Sequence, residues 1–151
     1  MSQANFAYVT PANDSPDVAL SLAIFADRPH VLAQLREDAV NAGFRVTCAQ
    51  AIASLLDGDA QPLAEVVLVD CPAPDGGSLA ALARLDMRVS HSGAQLIVST
   101  TLGGLDDVFG CVDQSGAQLL VDAARTDFAL ALGRIRALGT GKRVRELAEE
   151  D

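Results

Sequence analysis

Three aspartates and a pair of threonines each close an apolar run. Asp27 ends "AIFAD", Asp70 ends "VVLVD", Asp122 ends "QLLVD", and Thr100 and Thr101 end "LIVSTT". Carboxylates gathered at strand ends can supply oxygen ligands to a divalent cation, and one of them can accept a phosphoryl group. Each of these residues also has an ordinary structural use. Asp27 can cap the helix that follows, with Pro29 in its first turn. Asp70 can accept backbone N–H groups in the next turn, Asp122 can cap a helix, and the Thr100 hydroxyl can tie itself to backbone.

Other chemistries find less support. Ser99 and Cys71 adjoin these positions, but neither His30 nor His91 falls where it could act as their base, because each opens or closes a helical segment. Cys71 stands beside Asp70, whose charge disfavours a thiolate. The three cysteines, Cys48, Cys71 and Cys111, are far apart with no CxxC pair, and read as reduced thiols in a cytoplasmic protein. Neither GxGxxG nor GxxxxGK[ST] occurs, so neither common phosphate loop is supported.

The elements that would position these residues follow from periodicity. "VALSLAIFA" (18–26) is a buried strand; "PHVLAQLREDAVNAG" places Val31, Leu32, Leu35, Ala39 and Ala42 near one helical face and stops at Gly43. "FRVTCA" alternates as a strand, "AIASLLDG" is a short helix, and "AEVVLVD" is a third strand. "SLAALARLDMRVSHSG" is helical, "AQLIVSTT" a strand, "LDDVFGCV" a helix, "AQLLV" a fifth strand, and "RTDFALALGRIRAL" a helix with Phe128, Leu132 and Ile135 on one stripe.

Five strands thus alternate with five helices, and strands one, three and four are nearly continuous apolar runs, as expected when both faces of a sheet are covered. The fold class is α/β, a doubly wound five-stranded parallel sheet of flavodoxin-like order 2-1-3-4-5. Such sheets bind ligands beyond the carboxyl ends of their strands, where the aspartates and threonines above are placed. Residues 1–17 read as an N-terminal arm, 18–138 as the domain, and 139–151 as a hinge, "GTGK", followed by the start of a connecting helix.

Composition agrees. The chain has 151 residues, half of them apolar, with five Phe, one Tyr and no Trp, which suits a core of Leu, Val, Ile and Ala. Its formal charge is −9, with the basic residues scattered except for Lys142, Arg143 and Arg145, so this segment is not expected to bind nucleic acid by itself. No run reaches the roughly 18 apolar residues of a membrane span.

Taken together, "FADRP" (25–29), "VVLVDCPAPDGG" with Pro74 four residues after Asp70, "LIVSTT" (96–101) and "GAQLLVDA" (116–123) carry a family pattern. From about Val18 to Leu138 the chain resembles the receiver domain of two-component response regulators. The separations, thirty residues from Asp70 to Thr100 and twenty-two from Thr100 to Asp122, suit that family. The resemblance implies an acidic pair at the end of strand one that helps hold Mg²⁺, a phosphoacceptor at Asp70, a hydroxyl at Thr100, and a Lys-Pro pair at the end of strand five.

The departures are as informative. Ala26 stands with Asp27 where two acids are expected, Asp122 and Ala123 replace Lys-Pro, and Leu119 occupies a place where the family often has an aromatic. The pocket then holds Asp27, Asp70 and Asp122 with no cation, and Mg²⁺ could draw only on Asp27 and Asp70. Two like unit charges about 4 Å apart repel by roughly 4 kcal/mol at an effective dielectric of 20, so adding a phosphoryl group to such a set is penalised. The reading is a degenerate receiver, without catalysis and without a cofactor.

The whole chain is also similar to the N-terminal half of alphaproteobacterial transcriptional regulators whose second half is a winged-helix DNA-binding domain. The cues are "DRPHVLAQLREDAVNAGF", "LARLDMR" and "RVRELAEED". The resemblance implies a cytoplasmic homodimer, paired through a face drawn from Leu105, Val108, Phe109, Val112, Phe128 and Leu132, at least half of which must instead serve the core. Two other functions stay open: a working phosphoacceptor using Asp70 and Mg²⁺, and a localisation module of the kind fused to pilus-assembly ATPases.

Overall fold

A computed structural model describes residues 19–57 and 63–150. The elements are β1 (Ser21–Ala26), α1 (Pro29–Asn41), β2 (Arg45–Gln50), a 3-10 turn (Ile52–Leu56), β3 (Val66–Asp70), α2 (Gly76–Ser92), β4 (Gln95–Thr100), a second 3-10 turn (Leu102–Gly104), α3 (Leu105–Cys111), β5 (Gln118–Val121) and α4 (Arg125–Glu150). Every strand pairing is parallel, and the order across the sheet is β2-β1-β3-β4-β5.

Alternation of side chains explains the continuous apolar strands. Ala23, Phe25, Val67, Val69, Leu96 and Val98 point to one face, where they pack with Leu82, Leu85 and Val89 of α2 and Val108 of α3. Leu22, Ile24, Val66, Leu68 and Ile97 point to the other, against Leu35 and Ala39 of α1 and Phe128, Leu132 and Ile135 of α4. The central strands are therefore buried on both sides, while the edge strands β2 and β5 are only partly covered.

Two helix ends obey their local chemistry. Asp75 accepts the Ser78 N–H at 2.8 Å while the Ser78 hydroxyl accepts the Asp75 N–H at 2.8 Å, a reciprocal box that starts α2. Gly43, just past the end of α1, has φ +93°, the left-handed region that glycine enters without strain.

Two expectations change, and the division of a third set of residues between core and surface becomes visible. The second helix is a 3-10 turn: its anchors Ile52 and Leu55 are buried three residues apart, a spacing that one turn at three residues per turn satisfies. The hinge expected at residues 139–142 is helical, since α4 runs unbroken to Glu150. Of the expected pairing face, Val108 is 0%, Val112 5%, Phe128 7% and Leu132 1% exposed, so these four belong to the core. Leu105 is partly buried, and only Phe109, 63% exposed, faces outward. The arm read at residues 1–17 lies outside the described residues.

Buried polar groups fasten the loops to this frame. Asp86 of α2, 2% exposed, accepts the backbone N–H groups of Gln114 (3.2 Å) and Ser115 (2.9 Å), holding the α3–β5 connection. At the amino ends of β1 and β3, the Ser21 N–H donates to Glu65 Oε2 at 2.9 Å and the Ser21 hydroxyl accepts the Glu65 N–H at 2.8 Å. Among the described residues no helix is long and apolar enough to cross a membrane.

Candidate functional site

The sheet register sets Ala26, Asp70 and Ser99 side by side where β1, β3 and β4 end. Asp70 is 2% exposed. A carboxylate so deeply placed requires a partner, and it has one. Arg28 donates to Asp70 Oδ2 from Nη2 at 2.8 Å and from Nε at 3.2 Å. The guanidinium side chain is itself 47% exposed, so it roofs the carboxylate from the solvent side.

Local sequence explains why Arg28 is free to do this. Proline disfavours helical backbone in the residue before it, and Arg28 precedes Pro29. Arg28 accordingly takes the N-cap position of α1 with extended backbone (φ −86°, ψ 114°) and makes no side-chain cap. Its side chain is directed across the strand ends instead of along the helix.

Asp27 is engaged with the first 3-10 turn. Its Oδ1 accepts the Ile52 N–H at 2.9 Å, so it supplies the cap of the first 3-10 turn and not, as expected, of α1. Asp122 is exposed and has left-handed backbone, φ +51°, with its N–H donated to the Thr100 carbonyl at 2.9 Å. The expected cap of α4 falls to another acid: Asp127 Oδ2 accepts the Ala124 N–H at 2.7 Å. Among the described residues neither Asp27 nor Asp122 is hydrogen-bonded to Asp70. The expected charge set of three carboxylates without a cation is therefore corrected by Arg28.

Thr100 is 2% exposed, and its Oγ1 is buried with no hydrogen-bond partner among the described residues. It does not tie itself to backbone as expected. A Cβ on Gly104 would stand 2.7 Å from that oxygen and 2.7 Å from Pro74 Cδ, so only glycine fits between the two loops. Thr101 completes the clamp, donating to the Pro72 carbonyl at 2.9 Å and accepting the Gly104 N–H at 3.2 Å.

The thiols are muted. Burial pushes the Cys71 thiol up; its hydrogen bond with Ser78 opposes this, and the charges of Asp27, Asp70 and Asp75 each add a smaller upward push. Burial also raises Cys48 and Cys111. For Mg²⁺, one oxygen of Asp27 is taken by the Ile52 N–H and one of Asp70 by Arg28, and among the described residues no group of three His, Cys, Asp or Glu could hold a metal.

Comparison with known proteins bears on the fold. No family model and no curated protein matches the chain. Solved structures do. The BeF3-activated DrrB receiver domain superposes with TM-score 0.56 at 16% identity, over 79% of this chain and 96% of that one. The chain has the receiver fold. Three further structures share that fold with it. A putative pilus assembly-related protein of Burkholderia pseudomallei gives TM-score 0.60 at 22% identity, over 80% of this chain and 91% of that one. NtrX from Brucella abortus gives 0.57 at 17% identity over 88% of this chain, which spans only 30% of NtrX. An adenylate cyclase from Rhodopirellula baltica gives 0.59 at 16% identity, over 88% and 99%.

On the receiver fold, Asp70 and Thr100 sit at the strand ends that the sequence assigns them, whereas Arg28 is the residue that sequence reading passed over. The signal was present in the order Asp-Arg-Pro directly after a buried strand. Proline at the third position lifts the arginine out of the helix and toward the neighbouring strand end.

Proposed function

We propose that this receiver-fold chain is a non-catalytic regulatory module of a bacterial transcriptional regulator, acting through protein contacts without phosphorylation of Asp70. One observation carries the reading: the Arg28 guanidinium holds Asp70 Oδ2 with two donors. The charge of the buried carboxylate is already balanced within the chain, and both donors converge on one of its two oxygens. The cation that a phosphorylated site recruits from solution is replaced by a covalently attached one. One oxygen of Asp27 is taken by the Ile52 N–H of the 3-10 turn. The DNA-binding domain belongs, on this reading, to the full-length protein outside these residues.

A second reading draws on a different observation. The buried, unpartnered Thr100 hydroxyl is a donor in reserve near the strand ends, and Arg28 could re-aim at a phosphoryl group on Asp70. That would make the chain a working phosphoacceptor. Titration with beryllofluoride and Mg²⁺, followed by amide NMR, separates the two. The first reading predicts no saturable shifts around Asp70 and Thr100; saturable shifts that disappear in Asp70→Asn would establish the second.

A further inference from the structure

Polar ties hold α1 at three heights, one to the pocket and two to α4. Ahead of its first turn, Arg28 donates to Asp70 Oδ2 at the end of β3, and the Arg28 carbonyl accepts the Leu32 N–H at 2.9 Å. The residue that closes the pocket thus also begins the hydrogen-bond ladder of the helix. In the third turn, Asp38 takes bonds of 2.7 and 2.9 Å from Arg125, the first residue of α4, while Gln34 one turn earlier donates to Asp38 Oδ1 at 3.2 Å. Just past the last turn, a Cβ on Gly43 would stand 2.7 Å from Arg136 Cζ. The guanidinium therefore lies against the Gly43 backbone, where a cation suits the negative end of the helix dipole.

Packing joins the same two helices. Leu35 and Ala39 of α1 are buried in one cluster with Phe128, Leu132 and Ile135 of α4. Elements packed this closely move between discrete seats and do not deform smoothly, so a helix displaced at one end transmits the change to the other. From Arg28 to Gly43 the chain covers about 22 Å at the helical rise. α4, tied at the far end, continues as helix to Glu150.

We infer that α1 carries the state of the Asp70 pocket to α4. Loosening the Arg28–Asp70 pair re-seats α1, and the Asp38–Arg125 and Gly43–Arg136 ties pass the shift to α4. The coupling starts from the ion pair and does not depend on whether Asp70 takes a phosphoryl group. The competing route, through β3, β4 and β5 to the start of α4, is an outcome of the test.

Amide NMR on the whole chain provides that test. It compares wild type, Arg28→Gln, the double variant Arg125→Gln, Arg136→Gln, and all three changes together. Lower stability alone leaves the resonances of the folded state where they are, whereas a re-seated helix moves them. Arg28→Gln should shift the amides of Leu132 to Arg136, at the far end of the ties, and leave those of Leu85 and Val89 in α2 in place. With both α4 ties removed, the same substitution should shift Leu132 to Arg136 by about half as much or less. If a variant does not give the spectrum of a folded chain, Arg28→Lys replaces Arg28→Gln, since it keeps the charge but not the two-donor geometry, and Arg136→Gln alone replaces the double variant. Unmoved α4 amides, or shifts in α2 as large as those in α4, would overturn the inference. So would α4 shifts that persist undiminished without the ties, which would assign the route to the sheet. Labelling of Asp70 reads the proposed function separately, so failure of one is not failure of the other.

Discussion

Asp70 is the residue on which the site turns, and its state is set by a side chain from another element. A buried carboxylate left alone is costly, and removing one partner of a buried ion pair commonly costs 3–5 kcal/mol. Arg28 is about half exposed, so its removal should cost less. Arg28→Ala is expected to lower unfolding stability by about 1–3 kcal/mol in denaturant titration, and Arg28→Lys to recover only part of it, because an ammonium cannot present the Nε and Nη2 pair together. Stability equal to wild type in both variants would show that the ion pair does not hold the pocket. Of this site, Asp70 and Thr100 were legible because each ends a continuous apolar strand. Arg28 was not, because a residue's reach across a sheet edge depends on the backbone that Pro29 imposes and on the register of two strands distant in sequence. Asp122 was misassigned for a related reason: its left-handed backbone redirects the chain beyond β5, and nothing in its type announces that.

Between elements, fastening by carboxylates dominates. Asp38 on α1 takes two bonds from Arg125 at the start of α4, at 2.7 and 2.9 Å, and this holds its carboxyl below the usual carboxylate range. A group whose folded pKa is depressed contributes stability that is present above its unfolded value and is lost as pH falls through the folded one. Thermal unfolding of wild type and Arg125→Ala should therefore differ at neutral pH and converge as pH drops below the ordinary carboxylate value near 3.8. A gap that is constant down to acidic pH would contradict the assignment. Asp86 fastens the α3–β5 connection, and Asp86→Ala leaves two backbone N–H groups without their acceptor, which should cost about 1–3 kcal/mol. Hydrogen exchange at Gln114 and Ser115 should rise ahead of exchange in β4; unchanged protection there would show that the loop is held otherwise. The strands and the long helices were legible, since their periodicity is sustained over many residues. The first 3-10 turn was not, because two apolar anchors three residues apart fit one turn of either helix type. The core stripes of α3 and α4 were legible as stripes, but which neighbouring side chain stays outside them depends on the sheet they pack against. Phe109 and Leu130 remained outside, while Val108 and Phe128 did not.

For the whole molecule, the parallel order β2-β1-β3-β4-β5 brings residues from three strand ends to one edge, and leaves β5 with α4 at another. The two places have different chemistry. The first is closed by an internal ion pair; the second is an open groove of mixed polar and apolar lining, with Val121, Leu130, Asp127 and Arg134 on its walls. The fold class and its strand order were legible because five buried strands alternating with helices admit few right-handed windings. The working state of the pocket was not, being a matter of which single cation lies against Asp70. The most direct measurement is incorporation of label from radioactive acetyl phosphate in the presence of Mg²⁺, with Asp70→Asn as the blank. The account predicts no label above that blank for wild type. Stable, stoichiometric label on Asp70 would contradict it.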